Sequence, residues 1–261
     1  MNLAWQQGIV EIAREAGDAI MTFYRQGSTQ TWTKKDDSPL TQADLAAHDV
    51  IMAGLKKLTP DIPVLSEEST AIAWQTRQQW QQYWLVDPLD GTKEFIKQNG
   101  EFTVNIALIV DHQPVMAVVF APDLEKLYFA NIEQGTWFIQ GNNSAEKLDV
   151  ADFKPTLPVR VVGSRSHPSE EMAGFNQQFE QVEVVPTGSS LKLCLVAQGL
   201  ADIYPRLGPT MEWDTAAGQC IAQCAGAKVV QLDSNPLGYN TKQSLLNSYF
   251  VVSHPLLQWH D

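Results

Sequence analysis

Cysteine is scarce in this sequence, with three residues in 261. Cys220 and Cys224 have helical spacing and therefore share one face of a helix. Neither has a nearby His or a second Cys pair, so we interpret them as packed thiols rather than zinc ligands. An odd number of cysteines is typical of a protein in a reducing compartment.

Basic residues are outnumbered, because the chain has 18 Lys and Arg against 30 Asp and Glu, a formal net charge of −12. So large an excess of negative charge argues against polymeric nucleic acid or anionic lipid as the main partner. A small anionic substrate is still compatible with this composition, because bound divalent cations reverse the local field.

Long apolar runs are also absent, and none reaches the length that spans a bilayer. Residues 1–7 carry no basic segment of the kind that begins a secretory signal. We therefore expect a cytoplasmic protein without a transmembrane segment, and the sequence leaves open peripheral association with the cytoplasmic face of the inner membrane. A serine-hydrolase Gly-x-Ser-x-Gly elbow and an NTPase phosphate loop are missing as well.

The most informative pattern that is present lies in residues 83–95. Residues 83–86 are apolar or aromatic and predict a buried strand, which Pro88 is expected to end because proline cannot extend a β-ladder. Asp87 and Asp90 flank that proline, and Gly91 allows a tight turn into a helix start. Such carboxylates would suit a cation with oxygen ligands, next to a phosphate held by backbone N–H groups. The alternative is an ordinary Asp-Gly turn after a strand.

The first part of the chain predicts two helices and then a sheet. Apolar spacing indicates a helix that ends near Tyr24, followed by an exposed polar loop over residues 27–40. Thr41 and Asp44 fit a capping box at the start of the second helix, which is the alternative to a functional role for Asp44. The inner stripe of that helix is predicted to comprise Leu45, Ile51, Leu55 and Leu58. Hairpins over residues 102–139 then predict an antiparallel sheet.

The pattern changes in the second part, where strands and helices alternate from residue 159 onward, with a first helix over residues 168–180. That alternation predicts an α/β layer. Residues 151–158 are polar and contain two prolines, so we place a boundary there. Residues 1–155 are expected to form an α+β half with the antiparallel sheet, and residues 156–261 an α/β half.

Two further carboxylates could contribute to a cation site. Glu67 follows a short predicted strand at residues 62–65, as Asp87 follows its own strand, although Glu is more often simply solvated. Asp214 begins a helix that is rich in small residues, where an ordinary N-cap is the alternative. Spacing alone does not show that these carboxylates converge.

Three segments together resemble the inositol monophosphatase superfamily, a group of lithium-sensitive, magnesium-dependent phosphatases. They are Ser66-Glu67-Glu68, residues 84–92 and residues 213–218, the last reading Trp-Asp-Thr-Ala-Ala-Gly. The resemblance covers nearly the whole chain, and its motifs occur in the expected order. It implies an α/β fold with an α+β N-terminal half, arranged as a layered αβαβα sandwich.

Within that superfamily the chain most resembles the bacterial 3′(2′),5′-bisphosphate nucleotidases. The segments that carry this resemblance are residues 93–95, 164–167, 188–192 and 204–206. It implies a small-molecule nucleotide substrate, adenosine 3′,5′-bisphosphate, cleaved to AMP and phosphate. It also implies 3′-phosphoadenosine 5′-phosphosulfate as a further substrate and a place in sulfur metabolism.

The resemblance assigns a role to each matching residue. Thr92 would orient the attacking water, Asp44 would hold Thr92, and Glu67 would complete the catalytic set. The residues implied to bind two or three Mg²⁺ ions are Glu67, Asp87, Leu89 through its carbonyl, Asp90 and Asp214. The residues implied to contact the substrate are Leu89, Asp90, Gly91, Thr92, His167, Ser189, Lys192, Arg206 and Asp214.

Two other functions stay open at this point. The same fold would suit an inositol or sugar phosphate monophosphatase, because a fold does not determine its substrate. The chain could also be a catalytically silent metal-binding or interaction protein, although its complete set of predicted metal ligands argues against that.

Overall fold

The computed structural model describes residues 3–27, 31–33, 39–69, 72–152, 155–164 and 170–260. The helices are α1 (Leu3–Tyr24), α2 (Gln42–Leu58), α3 (Trp74–Arg77), α4 (Thr92–Ile96), α5 (Glu170–Asn176), α6 (Leu191–Ala197) and α7 (Glu212–Cys224). The strands are β1 (Thr31–Thr33), β2 (Pro39–Thr41), β3 (Val64–Ser66), β4 (Gln82–Asp90), β5 (Thr103–Val110), β6 (Gln113–Ala121), β7 (Lys126–Asn131), β8 (Gly135–Gln140), β9 (Glu146–Leu148), β10 (Val159–Ser164), β11 (Val182–Thr187), β12 (Ile203–Arg206), β13 (Lys228–Gln231) and β14 (Phe250–Ser253).

A seven-stranded sheet, ordered β3-β4-β5-β6-β7-β8-β9, forms the first β-layer. Strands β3 and β4 run parallel, and the later neighbours pair antiparallel, as the hairpin pattern predicts. Trp84 and Val86 of β4 belong to the core shared with α1 and α2, whereas Tyr83 and Leu85 belong to the core on the opposite face. The sheet is therefore covered on both faces, which explains the continuous apolar run in β4.

A five-stranded mixed sheet, ordered β11-β10-β12-β14-β13, forms the second β-layer. Helices α6 and α7 lie between the sheets, where Leu193 shares a core with Tyr83 and Val162. Phe175 of α5 packs on the outer face of this sheet with Val161. The predicted αβαβα sandwich is confirmed. Because the central core takes residues from both sides of residue 155, the division into residues 1–155 and 156–261 stays a prediction.

The prediction that β4 ends at Pro88 is wrong, since the strand continues to Asp90. Pairing with β5 passes from Asp87 opposite Asn105 to Asp90 opposite Thr103, so two residues of β4 face one residue of β5. This β-bulge accommodates Pro88, which has no N–H to donate, and bends the end of the strand.

Other local predictions need smaller corrections. Leu45, placed on the inner stripe of α2, is 39% exposed. The polar segment 27–40 contains β1 and most of β2, which pair antiparallel, while its residues 28–30 and 34–38 lie outside the described part of the chain. Strand β9 has no counterpart in the sequence-based prediction. The helix predicted from Pro168 is described from Glu170 onward, and Pro168 lies outside the described residues.

The three cysteines lie in the central helical layer. Cys194 and Cys220 are buried, and the sulfur atoms of Cys220 and Cys224 are 4.0 Å apart. This placement agrees with their interpretation as packed thiols. Within the described part of the chain, none of the helices combines the length and the apolar character that crossing a bilayer requires.

Candidate active site

Three carboxylates from distant segments meet at one edge of the large sheet. Glu67 follows β3, Asp87 lies near the end of β4, and Asp214 is in the first turn of α7. Because β3 and β4 are parallel neighbours, their carboxyl ends coincide, and the Glu67 N–H donates to the Val86 carbonyl over 3.1 Å. One oxygen atom from each of the three carboxylates lies within 4.8 Å of the others. Such an oxygen cluster suits a hard cation.

Asp90 joins these carboxylates through Ser190. The Ser190 hydroxyl oxygen lies 2.8 Å from Asp90 Oδ2 and 2.5 Å from the Asp214 carbonyl oxygen, and it accepts a hydrogen bond from Asn105 Nδ2 over 2.8 Å. Both Ser190 and Asn105 are buried. Sequence reasoning missed both residues. The available signal was Asn105, a polar side chain within the apolar run of residues 104–109. We call Glu67, Asp87, Asp90 and Asp214 the carboxylate cluster.

Asp44 accepts hydrogen bonds from two residues, Thr41 and Thr92, through different oxygen atoms. Its Oδ2 accepts from the N–H of Thr41 over 2.8 Å and from the Thr41 hydroxyl over 2.5 Å, so the predicted capping box of α2 is present. Its Oδ1 accepts from the Thr92 hydroxyl over 3.3 Å, and that hydroxyl also lies 3.4 Å from the Leu89 carbonyl oxygen. The capping interpretation and the functional interpretation of Asp44 therefore do not exclude each other.

The electrostatics of the carboxylate cluster favour a counter-charge. Burial and the nearby Asp90 raise the pKa of Asp214 to about 8, and Glu67 adds to the rise. The Met211 N–H, 2.9 Å from Asp214 Oδ2, and Arg206 act in the opposite direction. Bringing these carboxylates together costs free energy, which a divalent cation among them would relieve. The set fits Mg²⁺ because all its donors are oxygen atoms.

Gly91 turns the chain from β4 into α4 with a φ of 91°. A Cβ atom there would lie 3.1 Å from the Glu101 carbonyl oxygen and 3.3 Å from the Cβ of Ser189. The turn therefore requires glycine, both for its left-handed backbone and for the close approach of the loop that carries Ser189.

A cavity of about 130 Å³ lies beside the carboxylate cluster. Asp90 and Asp214 line it together with Lys192 and Arg206, so acidic and basic side chains face the same space. The other lining residues are Gly91, Glu94, Thr187, Gly188, Ser189, Ser190, Leu193, Tyr204, Thr210 and Thr215. A ligand in this cavity would contact both charge types at once.

Lys192 and Arg206, which we call the cationic pair, are held by backbone carbonyls. Lys192 Nζ donates to the Ser189 carbonyl over 3.3 Å. The Arg206 guanidinium donates to the carbonyls of Gly208 and Pro209 over 3.2 and 2.6 Å. Both side chains line the cavity, and these local contacts to backbone carbonyls hold them there.

The structure brings together the predicted site residues that it describes. Asp44, Leu89 and Thr92 meet at the turn after β4, and the carboxylate cluster lies beside them. The residues that line the adjoining cavity include Gly91, Ser189, Lys192 and Arg206. His167 lies outside the described residues.

Comparison with known proteins adds independent findings. The chain matches the sequence profile described as the inositol monophosphatase family over residues 3–258. It is 51% identical to the 3′(2′),5′-bisphosphate nucleotidase CysQ of Salmonella typhimurium and 50% identical to that of Escherichia coli K12, each over 94% of this chain and 98% of the relative. The crystal structure of CysQ from Bacteroides thetaiotaomicron has a TM-score of 0.83 at 40% identity, covering 97% of this chain and 99% of that one.

Proposed function

The chain belongs to the inositol monophosphatase family, and from that premise we propose that it is a Mg²⁺-dependent 3′(2′),5′-bisphosphate nucleotidase. Its reaction is hydrolysis of the 3′-phosphate of adenosine 3′,5′-bisphosphate to give AMP and phosphate. The observation that carries the proposal is one cavity in which Asp90 and Asp214, two members of the carboxylate cluster, lie together with the cationic pair.

The carboxylate cluster would hold the metal ions, two or three in each site. Glu67, Asp87 and the Leu89 carbonyl would bind one Mg²⁺, and Asp87, Asp90 and Asp214 would bind a second. When bound, Mg²⁺ neutralises charge on the phosphate and makes water a stronger nucleophile. Asp87 would be shared by two ions, which makes its charge the least replaceable of the set.

Thr92 would orient the attacking water. Its hydroxyl donates to Asp44 Oδ1, which leaves the Thr92 oxygen as the acceptor for a proton of the water molecule. The N–H groups of Gly91 and Thr92 would hold the phosphate. The water oxygen forms its bond to phosphorus as the bond from phosphorus to the ribose O3′ breaks, and O3′ takes up a proton.

The cationic pair would hold the 5′-phosphate. The carboxylate cluster would hold metal ions that offset the charge of the phosphate being cleaved, but a second phosphate would be repelled by a chain with a net charge of −12. Lys192 and Arg206 offset that repulsion, with Ser189 beside them and His167 as a further predicted contact. A charge-assisted hydrogen bond of this kind contributes about 1.5–3 kcal/mol.

The same reasoning extends to 3′-phosphoadenosine 5′-phosphosulfate. That compound presents the same 3′-phosphate and a 5′-phosphate, so it would occupy both parts of the cavity. We propose it as a second substrate, with sulfate assimilation and nucleotide recycling as the physiological setting. The cytoplasmic location stays a prediction from the sequence.

Phosphate release over a panel of substrates tests the proposal. We expect the highest kcat/KM for adenosine 3′,5′-bisphosphate, complete loss of activity in excess chelator, and recovery when Mg²⁺ is restored. A preference for inositol 1-phosphate or a sugar phosphate would instead identify a monophosphatase of the same fold. No phosphate release from any substrate with Mg²⁺ would favour the interaction protein.

A further inference from the structure

Arg77 is a buried arginine that the proposed reaction does not use. It is 3% exposed and is the last residue of α3, which lies between the segment of Glu67 and strand β4. Its guanidinium stacks over the ring of Trp74, 4.7 Å from the ring centroid. Since a buried arginine requires hydrogen-bond acceptors, the partners of Arg77 indicate which parts of the fold it holds together.

Those partners lie 163 to 166 residues further along the chain. Nη1 donates to the side-chain oxygen of Asn240 and to the Lys242 carbonyl, the latter over 3.3 Å, and Nη2 donates to the Gln243 carbonyl. Asn240 reciprocates, because its Nδ2 donates to the Arg77 carbonyl over 2.6 Å. These donors are directed at protein oxygen atoms, so the arrangement serves the fold rather than an anionic ligand.

The loop that Arg77 holds is bonded in turn to the start of α7. The Asn240 N–H donates to Glu212 Oε2 over 2.8 Å, and the Glu212 N–H donates to the Leu245 carbonyl over 2.8 Å. Glu212 is the first residue of α7 and is 1% exposed. Asp214 lies in the same helical turn, so a continuous series of contacts joins Arg77 to the backbone that presents this carboxylate.

Arg77 also lies on the wall of a cavity that Glu67 lines. Within α3, the Arg77 N–H donates to the Ala73 carbonyl over 3.2 Å. Arg77 lines a cavity of about 400 Å³ that has Glu67 and Ala73 on its wall together with Trp213 and Gln243. Glu67 and Trp213, the neighbour of Asp214, therefore line the same cavity, and Arg77 on its wall is bonded to the loop that contains Gln243.

We infer that Arg77 is a positioning residue for the Mg²⁺ site. It holds the segment of Glu67 and the first turn of α7 in a fixed relative placement. Glu67 and Asp214 repel each other when both are ionised, as metal binding requires, so their approach within 4.8 Å depends on the segments that carry them. The inference rests on the proposed Mg²⁺-dependent function and extends it to a residue outside the carboxylate cluster.

Arg77→Met tests this role because it keeps much of the side-chain volume and removes every donor. We measure the Kd for Mg²⁺ by calorimetry on metal-free protein, the rise in Tm on adding Mg²⁺, and the KM for adenosine 3′,5′-bisphosphate at saturating Mg²⁺. Groups that orient metal ligands typically contribute about 10–100-fold to metal affinity, so we expect a weakening of that size, a smaller Mg²⁺-induced rise in Tm, and an unchanged KM. Arg77→Lys should recover part of the affinity.

Arg160→Met is the matched control. The Arg160 guanidinium also donates to protein acceptors, with Nη2 2.6 Å from Asp202 Oδ1 and Nη1 2.7 Å from the Gly199 carbonyl oxygen. Arg160 lies in β10 of the five-stranded sheet. We expect a lower Tm and an unchanged Kd for Mg²⁺. A loss of Mg²⁺ affinity in this variant equal to that of Arg77→Met would show that general destabilisation explains the effect, and would overturn the inference.

Asn240→Gly provides a second route if Arg77→Met does not fold. Asn240 has a φ of 52°, which glycine adopts readily. The change removes one of the three acceptors of Arg77 and the donor to its carbonyl, while it keeps the backbone bond to Glu212. Weaker Mg²⁺ binding would support the inference, whereas wild-type affinity in either folded variant would overturn it. A wild-type protein that binds no Mg²⁺ would overturn the proposed function itself.

Discussion

The carboxylate cluster and the cationic pair meet at one cavity, which Asp90 and Asp214 line together with Lys192 and Arg206, but they are built differently. The carboxylates come from separate segments and are braced from outside, as Ser190 braces Asp90. Lys192 and Arg206 bond to backbone carbonyls close to them in sequence. The packing of the fold must hold the like-charged carboxylates together before a metal ion binds. A cation that is held by local carbonyls instead adds affinity for one class of ligand, such as a phosphate. Changes in the cluster should therefore abolish turnover, and changes in the pair should alter substrate preference.

Asp87→Asn gives the largest expected effect. The amide retains an oxygen acceptor for the Leu89 N–H, which donates to Asp87 Oδ1 over 3.0 Å, but it removes the charge that two ions would share. We expect kcat to fall by at least about 1,000-fold, roughly 4 kcal/mol on the barrier, while circular dichroism shows a retained fold.

Asp149→Asn is its matched control, because Asp149 Oδ1 accepts from the Ala151 N–H in the same local geometry and lies on the surface. Full activity is expected for this variant. An Asp87→Asn protein with wild-type turnover would contradict the two-ion arrangement.

Thr92→Val asks whether orientation of water is separable from metal binding. The change removes a hydroxyl held between Asp44 and Leu89 with little change in volume. We expect kcat to fall by about 100-fold, with an unchanged Kd for Mg²⁺ by calorimetry. Thr92→Ser should restore most of the rate, and an equal loss in the serine variant would argue against a role for the hydroxyl.

Lys192→Ala tests the contribution of the cationic pair to substrate preference. We expect kcat/KM for adenosine 3′,5′-bisphosphate to fall by about 10–150-fold, the equivalent of one charge-assisted hydrogen bond. Hydrolysis of a small monophosphate, which lacks a 5′-phosphate, should barely change. Lys228→Ala, at an exposed site on β13, is the control. Equal losses on both substrates would show that Lys192 does not discriminate between them.

Gly91→Ala has the smallest expected effect and acts on stability. An L-residue in the left-handed region costs about 1–2 kcal/mol, and the new Cβ would press on the Glu101 carbonyl. Urea denaturation should report a loss of that size in the free energy of unfolding. Gly174→Ala in α5, where a Cβ meets nothing within 4 Å, should be neutral or slightly stabilising. Equal stability of the two variants would show that the turn tolerates a side chain.

The sequence predicts best those features that neighbouring residues determine. The capping box of α2 and the carboxylates around the end of β4 depend on residues within a few positions of one another. Pro88 was misjudged because the rule that proline ends a strand takes no account of the partner strand, and β5 accommodates it with a bulge. The meeting of Glu67 with Asp214 followed from family resemblance, since spacing carries no information on convergence.

Residues whose partners are remote escaped sequence reasoning. Ser190 accepts from Asn105, 85 residues away, and Arg77 donates to Asn240, 163 residues away. A serine in a loop and an arginine in a polar segment are usually exposed to solvent. Their burial and their remote partners become visible only when the layers are packed together. Such residues stabilise the segments that carry the predicted metal ligands.

The shared carboxylate of Asp44 also has a consequence for inactivation by heat. Helix ends open at lower free-energy cost than the body of a domain. If the first turn of α2 opened, Asp44 would lose its hydrogen bonds to both Thr41 and Thr92. Catalysis would then stop below the temperature at which the helical signal disappears. Activity lost in this way would return on cooling, since opening one helix end leaves the apolar core packed.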